Sequence, residues 1–215
     1  MNNVVSLTKM SFLNLKSVFK QIAFVLIIWT AVAIFNPYFL NILFGFIILM
    51  TLYQAMVYED MNGIDNLVAV LPVKRNEYVM SRYLFGAIIL ALTSIFLIVV
   101  YNIGNKINAI DIPLKAFLGM GITSAILTIS FIIPTVLKFG ANKMRVVMVV
   151  IFMILIGLVS GMMEILSQNS EIMVKISNIV DTIGISVILI IFNTAILMIS
   201  MIVSIKVYRN KEVKK

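Results

Sequence analysis

The sequence contains no cysteine and no histidine, and charged side chains make up only 12% of it. Without cysteine, the chain has no disulfides, thiolate nucleophiles or thiolate metal sites. Without histidine, it lacks the commonest general base and metal ligand near neutral pH. Soluble domains carry about 25% charged residues, whereas 62% of this chain is hydrophobic. The composition therefore predicts an integral membrane protein and disfavours the common catalytic and metal-binding classes.

Long intervals without charge define the predicted membrane spans. The first interval, between Lys20 and Glu59, has 38 residues, and four later intervals have 23, 22, 18 and 24. A helix needs about 20 apolar residues to cross the hydrocarbon, so each later interval fits one span. The first fits two, with a turn at Asn36-Pro37 because proline disfavours helix at and before its position. The sequence thus predicts an all-α protein with six transmembrane helices, at residues 21–37, 39–58, 83–103, 115–137, 146–165 and 181–205.

The basic residues support this count and give an orientation. With six spans, 14 of the 17 lysines and arginines fall on the side that holds both termini. Because basic loops stay in the cytoplasm, both termini are predicted to be cytoplasmic. The same residues are scattered over four short segments beside the spans, which is typical of an orientation signal. A nucleic-acid partner is not expected, since it would need one concentrated basic face.

Residues 3–20 form an amphipathic pattern at helical spacing, with Lys9, Lys16 and Lys20 on the polar side. The pattern favours an N-terminal interfacial helix that lies on the membrane with its lysines toward anionic headgroups. The alternative is a cytoplasmic extension of the first span. Further along, Gly140 in the basic stretch "KFGANKMR" is predicted to stop the fourth span. No ionisable residue lies near the centre of any span, which argues against ion-coupled transport and against carboxylate-based membrane enzymes.

Residues 59–82, "EDMNGIDNLVAVLPVKRNEYVMSR", form a charged segment between the second and third spans. Inside it, an apolar stripe at i, i+3, i+4 and i+7 predicts a short helix bounded by Gly63 and Pro72; the stripe is Ile64, Leu67, Val68 and Leu71. A two-turn helix is unstable alone in water, so the stripe must be buried. It packs either on the chain's own spans or in a groove of a partner protein. In the second case, a charged rim fixes the orientation: Glu59, Asp60, Asp65, Lys74, Arg75 and Glu77.

The run "YEDMNGIDNLVAVLPVKRNEYVMSRYL" resembles the signature segment of the type-2 family of ABC-transporter permeases. In that family an acidic residue and a glycine lead into a short helix that ends in Leu-Pro, followed by a hydroxyl residue, an arginine and a basic residue at the third span. The matching positions here are Asp60, Gly63, Leu71, Pro72, Arg75 and Arg82. The departure is Lys74, which replaces the usual Ser or Thr helix cap. Asn76 is a candidate to take over the capping role.

The resemblance implies that the short helix is a coupling helix, which docks into a separate ATP-binding subunit. The implied ATPase-coupling residues are Glu59, Asp60, Gly63, Ile64, Asp65, Leu67, Val68, Leu71, Pro72, Arg75 and Glu77. The chain has no phosphate-binding G-x-x-x-x-G-K-[ST] loop, so it is expected to hold no cofactor, with ATP and Mg bound by the partner ATPase. Six spans are half of the usual complement, which implies a second permease copy or a close paralogue.

The expected function is therefore the permease subunit of an ATP-driven ABC exporter in the bacterial cytoplasmic membrane, itself without enzymatic activity. Similarity to small exporter permeases for phenol-soluble modulins suggests amphipathic peptides as substrates, with membrane lipid as surroundings. Two other hypotheses remain at this point. One is a non-transporting immunity or scaffold protein that binds a toxic peptide, and the other is an integral-membrane enzyme. The gene for a neighbouring ABC ATPase distinguishes the first hypothesis from both.

Overall fold

The computed structural model describes residues 2–35, 38–64, 73–107, 113–168 and 184–210; for some of these, chiefly 145–168, it describes the backbone alone. The described residues form helices and no strand, as the all-α prediction requires. The helices are α1 (Asn2–Phe35), α2 (Tyr38–Met61), α3 (Arg75–Ile107), α4 (Leu114–Gln168) and α5 (Ile185–Arg209).

Five stretches of these helices are long and apolar enough to cross a membrane: Asn3–Phe35, Leu43–Met61, Arg75–Ile107, Leu114–Gly140 and Ile185–Arg209. They overlap five of the six predicted spans, so the chain is a multi-pass membrane protein. The first charge-free interval holds two helices, because α1 ends at Phe35 and α2 begins at Tyr38. The predicted span 146–165 lies within the helical backbone of α4, but its side chains are outside the described residues. The count of six spans therefore stays a prediction.

The N-terminal amphipathic stretch is not a separate helix. α1 runs without interruption for 34 residues, because no glycine or proline breaks its hydrogen-bond ladder. Its N-terminal half packs against the protein, with Leu7, Ser11 and Leu15 buried. The prediction of a separate interfacial helix is thus wrong, and the alternative, an extension of the first span, describes the structure. Tertiary burial of one face replaced contact with the membrane surface.

α4 is broken at Gly140, which the sequence predicted as a helix stop. Gly140 has φ 74° and ψ 165°, a conformation outside the helical region that residues with a Cβ avoid. Helical backbone resumes directly after it and continues to Gln168. The chain therefore turns at Gly140, and the Leu114–Gly140 part of α4 behaves as a helix of its own.

Contacts between side chains give the helix directions. Asn14 meets Glu59 and Trp29 meets Phe46, so α1 and α2 are antiparallel. α3 runs parallel to α1, since Asn3 bonds Glu77 and Phe12 packs on Phe85.

α5 runs parallel to the Leu114–Gly140 part of α4. Asn193 bonds Thr123 and Ser200 bonds Ser130, at a constant offset along the two helices. The helices therefore have two common ends, one of which collects the polar and charged residues.

α2 is the central helix of the bundle. Of its most apolar window 56% is buried, against 11% for α1 and for α5, so α1 and α5 present most of their surface to the surroundings. The core is filled by large apolar side chains of α2, α3 and α4, including Phe44, Phe85, Phe117, Leu52 and Ile132. The ring of Phe44 lies directly against Gly121, where a Cβ would overlap it. This close approach fixes α2 on α4.

Candidate functional site at the charged end of the bundle

The ends of all five helices or helix parts that flank the charged segment meet at one end of the bundle. Asn3 of α1 donates a hydrogen bond to Glu77 of α3, 3.1 Å away. Arg75 of α3 donates to the backbone carbonyl of Arg209 at the end of α5. A Cβ at Gly140 would lie 3.4 Å from the Asp60 carboxylate at the end of α2. We call this the charged end; it holds the residues that the sequence predicted to lie in the cytoplasm.

A buried ion pair lies at the centre of the charged end. Glu59 and Arg82 form two contacts, 2.6 Å from Nη2 to Oε2 and 2.8 Å from Nη1 to Oε1. The Arg82 side chain is 0% exposed and that of Glu59 is 3% exposed. The two-point geometry matches the fork of a guanidinium to the two oxygens of a carboxylate. Because buried charges are stable only when they are paired, each residue depends on the other.

Three further side chains complete what we call the ion-pair network. Ser11 of α1 accepts a hydrogen bond from Arg82. Asn14, one turn further along α1, donates to Glu59 at 3.1 Å. The Tyr78 ring lies under the guanidinium, with Cζ 4.3 Å from the ring centre, which is a cation–π contact. The network therefore joins α1, α2 and α3 at one point.

The ion-pair network lies near a membrane boundary. From Asn14 to Phe35, α1 rises by about 31 Å, close to the thickness of the hydrocarbon core. Since Asn14 bonds Glu59, the ion pair lies at one edge of this thickness and the turn between α1 and α2 lies at the other. A buried pair at this depth joins the spans to the polar region beyond them.

The start of α3 is capped by its own first turn. The backbone N–H of Lys74 donates to the Glu77 carboxylate at 3.1 Å, and the Lys74 carbonyl accepts from the N–H groups of Glu77 and Tyr78. Lys74 is thus the N-cap, and Glu77 provides the side-chain half of a capping box. The sequence suggested Asn76 for this role, and that prediction is wrong because Asn76 lies inside the helix, which begins at Arg75.

Both ends of the predicted coupling helix are attached to the charged end. Before it, Gly63 has φ 65° and its N–H donates to the Asp60 carbonyl, which ends α2. Ile64 and Val73, on the two sides of the segment, pack against the hydrophobic core. Residues 65–72 lie outside the described residues, and with them Asp65, Leu67, Val68, Leu71 and Pro72. Burial of the apolar stripe therefore stays a prediction.

A family model described as "ABC-2 family transporter protein" matches residues 6–209, nearly the whole chain. The chain belongs to the ABC-2 family of transporter proteins. The resemblance drawn from the charged segment is thereby confirmed at the level of the family. No curated protein and no solved structure matches the chain significantly. Members of this family are transporter components that are not themselves catalytic, and the family implies an ABC ATPase as partner.

The structure corrects one member of the predicted rim of this ABC-2 chain. Glu59 was expected on an exposed charged rim, but its carboxylate is buried against Arg82 and faces away from any partner. Asp60 and Arg75 are exposed at the charged end, and Glu77 is half-buried. The rim is therefore smaller than the sequence suggested, because pairing with a cation 23 positions away outweighed solvation of one carboxylate.

Sequence reasoning missed the α1 side of the network in this ABC-2 chain. Ser11 and Asn14 interrupt an otherwise apolar face, and a polar residue on such a face is the signal that could have found them. It also missed Tyr208, whose ring stacks on Tyr78 with centres 4.9 Å apart. Among the residues that the structure describes, no three acidic side chains cluster closely enough to bind a metal ion.

A second polar cluster, which we call the hydroxyl network, lies on the other side of α3. The Tyr83 hydroxyl is 2.6 Å from Ser200 Oγ and 2.8 Å from Ser204 Oγ. Ser200 in turn donates to the backbone carbonyl of Ser130 in α4. Asn193, seven residues before Ser200, donates to Thr123, so the packing role that the sequence suggested for it agrees with the contact. The hydroxyl network joins α3, α4 and α5.

Proposed function

We propose that this chain is the membrane permease subunit of an ATP-driven exporter, and that it moves amphipathic peptides out of the cell. A separate ATPase chain binds ATP and Mg, and a second permease copy or a paralogue completes the transport path. The observation that carries this proposal is the match of nearly the whole chain to the ABC-2 family. Family membership supports the permease role, while the direction of transport and the substrate rest on the resemblance of the charged segment.

The proposal includes six spans. Gly140 lies at the charged end, near Asp60, whereas α5 begins at the opposite end because it runs parallel to Leu114–Gly140. The chain must therefore cross back between Gly140 and Ile185. The helical backbone that follows Gly140 up to Gln168 is about 42 Å long, enough for such a crossing. This parity supports a fifth span at 146–165 and places both termini on the same side, which we propose is the cytoplasm of a bacterium.

The ion-pair network suggests how the coupling helix moves the spans. Residues 65–72 connect the end of α2 to the start of α3, and Glu59 and Arg82 tie these two helices to each other and to α1. A push on the coupling helix thus acts on three helices at once and is not absorbed by the loop. We propose that ATP-driven closure of the partner is transmitted in this way, with the exposed side chains of Asp60 and Arg75 at the docking surface.

Single substitutions in the apolar stripe test the proposal. Leu67→Asp or Leu71→Asp places a charge on the face that would enter the ATPase, and desolvation of that charge should abolish docking. Asn76→Asp is the matched control, since it adds the same charge at an exposed position of the same end. The measurements are co-purification of the ATPase and peptide transport into inside-out vesicles.

The expected result is that both Leu variants remain in the membrane but lose the ATPase and transport, while Asn76→Asp keeps both. If the ATPase still co-purified with the Leu variants and its activity remained substrate-stimulated, the coupling assignment would be wrong. If no ATPase accompanied the unmodified chain and peptide still bound it, the non-transporting immunity or scaffold hypothesis would replace transport.

A further inference from the structure

An apolar groove of about 900 Å³ opens along the side of the bundle between α1, α2 and α3. Its walls are mostly aliphatic and aromatic side chains from all three helices, among them Leu15, Phe19, Ile27, Ile47, Ile89 and Phe96. It lies within the apolar stretches of these helices, at the depth of the hydrocarbon. The groove is separate from the charged segment, and its role is not part of the coupling proposal.

The hydroxyl groups in the groove do not call for a polar occupant. Thr30 donates to the Leu26 carbonyl at 2.6 Å, and Thr51 donates to the Ile47 carbonyl at 2.7 Å, each within its own helix. An extended peptide at this depth needs partners for its own backbone groups, and these walls supply few. Hydrocarbon needs none. The groove chemistry therefore favours a hydrocarbon chain over an extended peptide.

The dimensions of the groove favour a slender occupant. Lys16 and Ile34 line it 18 residues apart on α1, so its length is about 27 Å and its mean cross-section about 33 Å². A helix about 10 Å wide occupies roughly 80 Å² in cross-section. A helix of a second copy would thus not fit inside the groove, whereas a hydrocarbon chain, one methylene wide, would.

One cation stands at the mouth of the groove. Lys16 is exposed and belongs to the groove wall, two residues after Asn14, which bonds Glu59 at the membrane boundary. A lysine at this depth extends its ammonium toward the headgroups while its methylenes line the apolar wall. An ammonium at the boundary attracts the anionic headgroups of lipids. The cation and the apolar groove together match a molecule with an anionic head and a hydrocarbon tail.

We propose that this groove is a binding site for an anionic membrane phospholipid of the leaflet at the charged end. The phosphate group contacts Lys16, and an acyl chain lies along the groove between α1 and α3. A lipid bound there fills the space between these helices and supports the face of α1 opposite the ion-pair network. The proposal holds whether or not the chain transports peptides.

Lipid binding to the purified full-length chain tests the proposal by native mass spectrometry. The probes are phosphatidylglycerol and phosphatidylcholine of equal chain length. Lys16→Glu removes the cation at the mouth, and Lys20→Glu is its matched control, four residues away on α1, exposed and outside the groove wall. Ala23→Phe fills the groove, and Ala91→Phe is the control on an exposed position of α3 that does not line it.

Wild type should bind phosphatidylglycerol in preference to phosphatidylcholine. Lys16→Glu should weaken phosphatidylglycerol binding about fivefold or more, and Lys20→Glu should leave it nearly unchanged. Ala23→Phe should reduce binding of both lipids, unlike Ala91→Phe. Equal losses for Lys16→Glu and Lys20→Glu would reveal general surface attraction and overturn the site. Unchanged binding in Ala23→Phe would also overturn it, as would a cross-linked second copy in the groove. None of these readouts involves the ATPase, so they are independent of the transport test.

Discussion

Two neighbouring residues of α3 anchor two different polar networks. Arg82 belongs to the ion-pair network with α1 and α2, and Tyr83, the next residue, belongs to the hydroxyl network with α4 and α5. Successive residues of a helix point in directions about 100° apart, so one short stretch of α3 reaches both halves of the bundle. The difference lies in charge: one network is held by a full ion pair and the other by neutral hydroxyls.

This difference teaches what each network contributes. A buried charge left without its partner is costly, so the ion-pair network holds α1, α2 and α3 in one arrangement. Hydrogen bonds between membrane helices contribute about 0.6 kcal/mol on average. The hydroxyl network thus guides packing at little cost when it is broken. Helices on the α5 side are freer to shift than those beside the charged segment.

Loss of the cation should have the largest effect. Arg82→Ala leaves Glu59 buried and unpaired, which should destabilise the protein by about 3–5 kcal/mol. Arg75→Ala is the control, since the Arg75 side chain is exposed and its removal should cost about 1 kcal/mol or less. Unfolding of the detergent-solubilised protein in SDS, followed by circular dichroism, gives both values. Equal stability of the two variants would show that the pair is solvated.

Removing both charges separates pairing from packing. Glu59→Leu with Arg82→Met replaces the pair by apolar side chains, and stability should recover most of the loss seen in Arg82→Ala. If the network also holds the three helices together during coupling, the double variant should fold but transport more slowly. Recovery of transport together with stability would mean that the pair only fills space. The same SDS unfolding and the vesicle assay measure the two effects.

A smaller loss is expected in the hydroxyl network. Tyr83→Phe removes the group that contacts Ser200 and Ser204, at an expected cost of about 0.5–1.5 kcal/mol. Ser204→Ala removes one partner, and the double variant measures the coupling between the two groups. SDS unfolding of the four proteins completes the cycle. A loss as large as that of Arg82→Ala would contradict the contrast between the networks.

The smallest effect is expected at Asn193. Its amide donates to Thr123, but within the described residues its Oδ1 is buried without a hydrogen-bond partner. Asn193→Leu removes a bond and an unsatisfied acceptor together, so stability should change by less than about 0.6 kcal/mol. Asn102→Leu, at an exposed position of α3, serves as control for added hydrophobicity. A loss above that of Tyr83→Phe would indicate a further partner for the Asn193 carbonyl.

Much of the fold could be predicted because membrane insertion depends on local composition. Charge-free intervals located the helices, and Gly140 was recognised as a stop from its basic neighbours. The bounds of α3 were less accurate, since the helix begins at Arg75 and Arg82 is already inside it. A charged residue was taken as the edge of a span, whereas pairing with Glu59 allows it to lie within the helix.

The candidate site was predicted less completely. The charged segment was recognised from its apolar stripe, and the family match agrees with that reading. The partners of Glu59 and Arg82 were not found, because Ser11 and Asn14 are 71 and 45 positions away from the residues they bond. Contacts at such separation leave no periodic signal in a single sequence.

The sequence by itself determined that the chain is helical, crosses the membrane repeatedly and has a charged segment between its second and third spans. These properties are sums over neighbouring residues, since the free energy of transfer into lipid adds along the chain. Only the tertiary structure decided that α1 is one helix packed on α2 and α3, and which charges of the segment are buried. The cost of burying Glu59 depends on the position of Arg82 in space, and the packing of three helices sets that position.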